Sequence, residues 1–132
     1  MPKTAWVVDD DDEIRNAMKS MLQLMGYEFR GFMEPRSAGR ALLDFETPDL
    51  MFLDINMPKV TGLQFLEFVR SREQWKKLPV LMVTSESSEI TVEEAIRLGA
   101  DGYVFKPVNF DELQMAIETA IERRRIAVGN AD

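Results

Sequence analysis

Five polar residues stand directly after short apolar runs. Asp9 and Asp10 follow Ala5-Trp6-Val7-Val8, Asp54 follows Leu50-Met51-Phe52-Leu53, Thr84 follows Val80-Leu81-Met82-Val83, and Lys106 follows Tyr103-Val104-Phe105. Carboxylates without imidazole or thiolate suit a hard cation that takes oxygen ligands. Mg2+ fits best, since it accepts one or two carboxylates together with waters and phosphate oxygens; Mn2+ is the alternative. Lys106 and Thr84 are suited to hold the remaining oxygens of a phosphoryl group. A carboxylate facing a cation and an amine can also act as a nucleophile and form an acyl phosphate. Without metal the acids oppose one another, at about 1 kcal/mol for a pair ~4 Å apart in water and about 4 kcal/mol at an effective dielectric of 20. A bound cation should relieve that strain.

The composition narrows the chemistry further. The chain has 132 residues, with 23 acids, 16 bases, no His and no Cys. Its length suits one domain. Disulfides, thiol nucleophiles, thiolate or imidazole metal sites and Ser-His-Asp catalysis are all excluded. A net charge of −7 argues against nucleic acid as a direct partner. The N-terminal apolar stretch is too short for a signal peptide, and no apolar run approaches the ~18–20 residues of a membrane span. A cytoplasmic location is the expectation, with no membrane partner.

Something must bring these residues together, and the apolar pattern says what. Short continuous apolar runs, typical of strands buried on both faces, alternate with stretches of helical period. Helical spacing is carried by Ile14, Ala17, Met18, Met21, Leu22 and Met25; by Ala38, Ala41, Leu42 and Phe45; by Phe65, Leu66 and Val69; and by Leu113, Ala116, Ile117, Ala120 and Ile121. A further helix is expected over Glu89–Leu98 and a more exposed strand over Tyr27–Phe32. Thr61 with Gln64, and Asn109 with Glu112, fit capping boxes. Trp6 and most of the nine Met residues read as core, Trp75 as a partly exposed loop residue. Arg123-Arg124-Arg125 reads as a favourable helix C-terminus, and Asp11 and Asp12 as helix-start acids. Five alternations of strand and helix imply an α/β, doubly wound, parallel sheet with helices on both faces. The domain is placed at residues 1–125, with 126–132 as a tail or the start of a linker. In such a sheet all five polar residues lie at the carboxyl edge, where ligands bind.

These residues resemble the receiver domains of response regulators in two-component signalling. Asp9-Asp10 matches the family's acidic pair, and Asp54-Ile55-Asn56-Met57-Pro58 with Gly62 its phosphoacceptor segment. Thr84-Ser85 matches the hydroxyl switch position, Tyr103 the aromatic switch position and Lys106-Pro107 the Lys-Pro pair. The match covers about Thr4 to Arg125. It implies a flavodoxin-like, three-layer fold of five strands in the order 2-1-3-4-5 and five helices. Asp54 would accept a phosphoryl group from a sensor histidine kinase or a histidine phosphotransfer protein. Asp10, Asp54 and the Asn56 backbone carbonyl would bind Mg2+ directly, with Asp9 acting through metal-bound water. Lys106 would pair with Asp54, Thr84 would move to the phosphoryl group, Tyr103 would turn inward behind it, and the Lys106–Pro107 peptide would be cis. Asn56 and Glu86 match chemotaxis-type receivers, which implies a short-lived phosphoryl group. The output surface would be the last two helices and the strand between them, with Glu93, Arg97 and Tyr103 as contacts for a downstream protein or a fused effector. The stretch after Arg125 is too short for an effector, which favours a stand-alone switch.

Two other functions share parts of this pattern. A haloacid-dehalogenase-like phosphatase also uses a strand-end Asp, Mg2+, Thr and Lys, but needs a second Asp where Asn56 stands. That substitution speaks against turnover of outside substrates, and the only catalysis expected is of the domain's own phosphorylation and dephosphorylation. A pseudo-receiver that binds partners without phosphorylation is disfavoured by the complete set of Asp9, Asp10, Asp54, Thr84 and Lys106.

Overall fold

The structure is a computed structural model that describes residues 2–57, 59–85 and 89–129, the side chains of 89–91 excepted. Glu86 and Pro58 lie outside the described residues. Strands β1 (Lys3–Val8), β2 (Tyr27–Phe32), β3 (Leu50–Asp54), β4 (Val80–Thr84) and β5 (Gly102–Phe105) alternate with helices α1 (Asp12–Leu24), α2 (Pro35–Leu43), α3 (Gly62–Arg70), α4 (Glu89–Arg97) and α5 (Phe110–Val128). The strands form one parallel sheet in the order β2-β1-β3-β4-β5.

The apolar runs serve both faces of this sheet. Trp6, Val8, Met51, Leu53, Val80 and Met82 point to one side, where Ala38 and Leu42 of α2, Phe65 and Leu66 of α3 and Ala95 of α4 cover them. Ala5, Val7, Leu50, Phe52, Leu81 and Val83 point to the other, under Met18 and Leu22 of α1 and Leu113, Ile117 and Ala120 of α5. The period of two within each run explains why every position is apolar. At roughly 1.5–3 kcal/mol for each large side chain fully buried, these two layers drive the fold. Local signals set the helix starts. Thr61 and Gln64 form a reciprocal capping box at α3, and Asn109 accepts the Glu112 N–H at 2.8 Å at α5.

Several side chains depart from the sequence expectation. Phe45 lies past the end of α2, at φ 65°, with 90% of its surface exposed, because the helix stops at Leu43. Ala17 and Ile121 are exposed as well, each on the outer edge of its apolar stripe. Trp75 is buried, not partly exposed: a 3₁₀ turn at Glu73–Trp75 tucks the indole against Phe68, with ring centroids 5.5 Å apart. Helix α5 runs three residues past Arg125, to Val128.

Arg124 is likewise more than a helix-end charge. It joins Arg70 around Asp101, which is 3% exposed at the foot of β5. Arg70 Nη2 donates to Asp101 Oδ2 at 2.8 Å, and Arg124 Nε lies 2.9 Å from Oδ1. The Val80 N–H also donates to Asp101 Oδ2 at 2.9 Å, and Arg70 reaches the carbonyls of Gly99, Trp75 and Leu78. One carboxylate thus ties α3, the start of β4, the start of β5 and α5 together. Burial pushes the Asp101 carboxyl up and the Arg70 guanidinium down to about 10, so desolvation outweighs the mutual attraction for both. Such a group holds geometry more than it adds net stability, but breaking it leaves buried charge unpaired. Asp101→Ala is expected to cost about 3–5 kcal/mol. Urea titration checks this: the midpoint should fall with little change in slope.

Candidate functional site

The carboxyl edge of the sheet brings together the residues that the sequence separates by as many as 97 positions, from Asp9 to Lys106. Asp9 leaves β1 and is fully buried, its N–H donating to the Phe32 carbonyl at 3.0 Å. Asp10 is the next residue and is exposed. Asp54 is the last residue of β3 and Thr84 the last of β4, both buried. Lys106 follows β5, and its N–H donates to the Thr84 carbonyl at 2.8 Å. The Lys106–Pro107 peptide is cis.

Lys106 Nζ lies 3.2 Å from Asp9 Oδ2 and 3.6 Å from Asp54 Oδ1. The contact with Asp9 is at ion-pair distance but lacks the alignment of a hydrogen bond, and Asp9 Oδ2 is buried without such a partner among the described residues. The other Asp9 oxygen accepts the Asp11 N–H at 2.9 Å. Asp54 Oδ1 accepts the Asn56 N–H at 3.3 Å. Oxygens of Asp9, Asp10 and Asp54 lie within 4.8 Å of one another.

The electrostatics follow from that crowding. Burial, reinforced by the Asp9 charge, pushes the Asp54 carboxyl up to about 6, while Lys106 and the Asn56 N–H pull it back. Burial alone would depress the Lys106 ammonium, but Asp54 and Asp9 together outweigh it and hold it above its ordinary value. The cluster has more negative than positive charge, with one buried carboxylate oxygen lacking a hydrogen bond. An all-oxygen donor set of this charge fits a hard divalent cation.

Gly62 has a steric reason for its identity. A Cβ there would stand 2.1 Å from the Asp54 carbonyl oxygen, because the Gly62 N–H closes back onto the Ile55 carbonyl at 3.0 Å. Only glycine lets α3 begin so close to the end of β3. Tyr103 lies on β5, 40% exposed, with its ring 5.2 Å from that of Phe105. Glu93 and Arg97 are exposed on α4. One contributor was missed in the sequence. Arg15, near the start of α1, donates from Nη1 to the Asp9 carbonyl at 2.5 Å and pairs with Asp12, pinning the acidic loop. Its only signal was an arginine one turn after a run of acids.

The comparisons agree with this geometry. The family model described as the response regulator receiver domain matches residues 5–118. The chemotaxis protein CheY of Pseudomonas aeruginosa is 35% identical over 117 residues, which is 89% of this chain and 94% of that protein. The regulatory protein AtoC of Escherichia coli is 34% identical over 116 residues, but the chain spans only 24% of its length. Among solved structures, the chemotaxis protein CheY4 of Vibrio cholerae superposes with a TM-score of 0.82 at 32% identity, covering 91% of this chain and 99% of that one. With its fold, its strand-end acids and these matches in accord, the chain belongs to the response regulator receiver domain family of two-component signalling.

Proposed function

We propose that this receiver domain is a phosphorylation-dependent switch, with Asp54 accepting a phosphoryl group from phosphohistidine on a sensor kinase or a histidine phosphotransfer protein. The observation that carries it is the buried Asp54 carboxylate, 3.6 Å from Lys106 Nζ and grouped with Asp9 and Asp10. An Asp54 oxygen attacks phosphorus, the P–N bond to the donor imidazole breaks, and the departing nitrogen keeps the electron pair and takes up a proton. These 132 residues hold no His, so the donor imidazole lies outside them. Receiver domains bind Mg2+ at an acidic pocket, and here Asp10, Asp54 and the Asn56 carbonyl would hold it, with Asp9 one water away. Bound there, Mg2+ supplies positive charge against the phosphoryl oxygens. Lys106 exchanges its Asp54 contact for a phosphoryl oxygen, and the Thr84 hydroxyl turns to donate to another.

Filling the space behind Thr84, Tyr103 rotates inward from its exposed position and changes the face of α4, β5 and α5. Glu93 and Arg97 on that face are the proposed contacts for a downstream protein. The domain acts in the cytoplasm and turns over no outside substrate. AtoC, of which the chain matches only a part, favours a second setting in which the same switch controls a fused effector.

A small-molecule phosphodonor with Mg2+ should add one phosphoryl mass to the protein and none to Asp54→Asn; equal labelling of that variant would refute the assignment. Asn56 and Glu86 set a fast decay, so Asn56→Met or Glu86→Arg should slow loss of the label several-fold. Persistence over many hours in the parent protein excludes a short-lived switch.

Stability should report the same crowding. An Asp54 pKa raised to about 6 means that the folded state holds a proton the unfolded chain has lost. Metal-free stability should therefore fall as pH rises between about 4 and 6. The difference in melting temperature between wild type and Asp54→Asn isolates that trend, and a flat difference contradicts it. At neutral pH, Mg2+ at ~100 times its dissociation constant should add about 2.7 kcal/mol. Asp10→Asn should raise the metal-free melting temperature and remove most of the Mg2+ effect.

A further inference from the structure

Two hollows of about 240 and 380 Å³ share Pro35, Arg36 and Val60, so they form one groove along the seam between α2 and α3. Its upper end opens at Asp10 and Glu34. Its lower end passes Gly39, Arg40 and Leu43 on α2 and Gln64 and Phe68 on α3. The floor is aromatic, with Phe68 stacked on Phe65 at 5.8 Å. Leu43 is 46% exposed beside it.

Gly39 is the informative residue. It lies inside α2, where glycine is disfavoured relative to alanine. Packing does not require it. A Cβ there would meet Phe65 at 3.5 Å and Phe68 at 3.9 Å, which is ordinary contact. Alanine would fit, favour the helix and make the groove shallower. What Gly39 provides is depth.

The charge of the groove runs against that of the molecule. The chain carries a net charge of −7, yet α2 contains two arginines and no acid. Arg36 and Arg40 are one helical turn apart, both exposed, and Lys59 stands near the upper end. Among the described residues, none of the three is held in an ion pair. An apolar floor flanked by unpaired cations is complementary to an acidic, amphipathic ligand.

We propose that the lower groove between α2 and α3 is a docking site for a short acidic amphipathic segment of a partner protein. Its apolar side chains lie over Gly39, Val60 and Phe68, and its carboxylates meet Arg36 and Arg40. The nine residues of α2 span about 13 Å, enough for roughly two turns of a bound helix. This surface is separate from the α4, β5 and α5 face, so a partner here leaves that face free. Val60 also lies between Asp54 and α3, which puts the occupant against the segment that leaves the phosphoacceptor.

Selection of a random short-peptide display library on the full chain, with each round depleted on the Arg36→Glu/Arg40→Glu double variant, tests the proposal. The surviving peptides should carry Asp or Glu flanking apolar residues spaced three or four apart. They should bind the double variant at least about tenfold more weakly and shift the backbone amide resonances of Gly39, Leu43 and Gln64. Gly39→Ala should raise the melting temperature yet weaken peptide binding, a pair of opposite effects that a merely structural seam would not produce. Neutral or basic survivors, no survivors, or resonance shifts confined to α4, β5 and α5 would each overturn the proposal. So would concentration-dependent shifts of the groove amides in the protein alone, which would make a second copy the occupant.

Discussion

Lys106 stands between two buried carboxylates, and the chemistry of the site depends on that placement. Its ammonium lies 3.2 Å from Asp9 and 3.6 Å from Asp54. A lone buried carboxylate would protonate; two of them beside one ammonium leave a partial excess of negative charge. Burial first, and that excess second, push the Asp54 carboxyl up to about 6, and the uncompensated charge suits a further cation. A parallel sheet meets this condition at little expense, because every strand delivers its last side chain to the same edge. Asp54 and Thr84 are adjacent strand ends, and the Lys106 N–H binds the Thr84 carbonyl at 2.8 Å.

The opposite end of the sheet carries a second charged group with a different task. Asp101 is enclosed by Arg70 and Arg124 and fixes where α3, α5 and the strands between them meet. Positive charge exceeds negative there, and Asp101 Oδ2 accepts from both Arg70 and the Val80 N–H, while Arg124 Nε meets Oδ1 as an ion pair without hydrogen-bond alignment. At the carboxyl edge negative charge exceeds positive and one Asp9 oxygen lacks a hydrogen bond. The same kinds of side chain therefore give a rigid clasp at one end and an unsaturated site at the other. Which outcome occurs depends on the local balance of charge and donors.

Much of the site was legible in the sequence because polar residues interrupt apolar runs at strand ends. Buried parallel strands tolerate almost no polar side chains, so Asp54 after Leu50–Leu53 and Thr84 after Val80–Val83 stand out against their context. Trp75 was misread, and the reading of Arg124 as a helix-end charge was incomplete, for one common reason. Each is amphipathic, and its burial depends on a distant element rather than on its neighbours in the chain. The indole of Trp75 is covered by Phe68, and the guanidinium of Arg124 finds Asp101. Phe45 erred in the opposite direction: helical spacing continued on paper for two residues after the helix had ended.

By itself the sequence determined the alternation of strand and helix, the parallel sheet and the identity of the edge residues. Those depend on apolar period, caps and strand ends, all of which are local. Tertiary structure alone decided the distances among Asp9, Asp54 and Lys106, the raised pKa of Asp54, the clasp around Asp101 and the groove floored by Gly39 and Phe68. Each of these arises where segments far apart in the chain approach within a few ångströms. Charge and packing energies vary so steeply over such distances that spacing along the chain cannot set them.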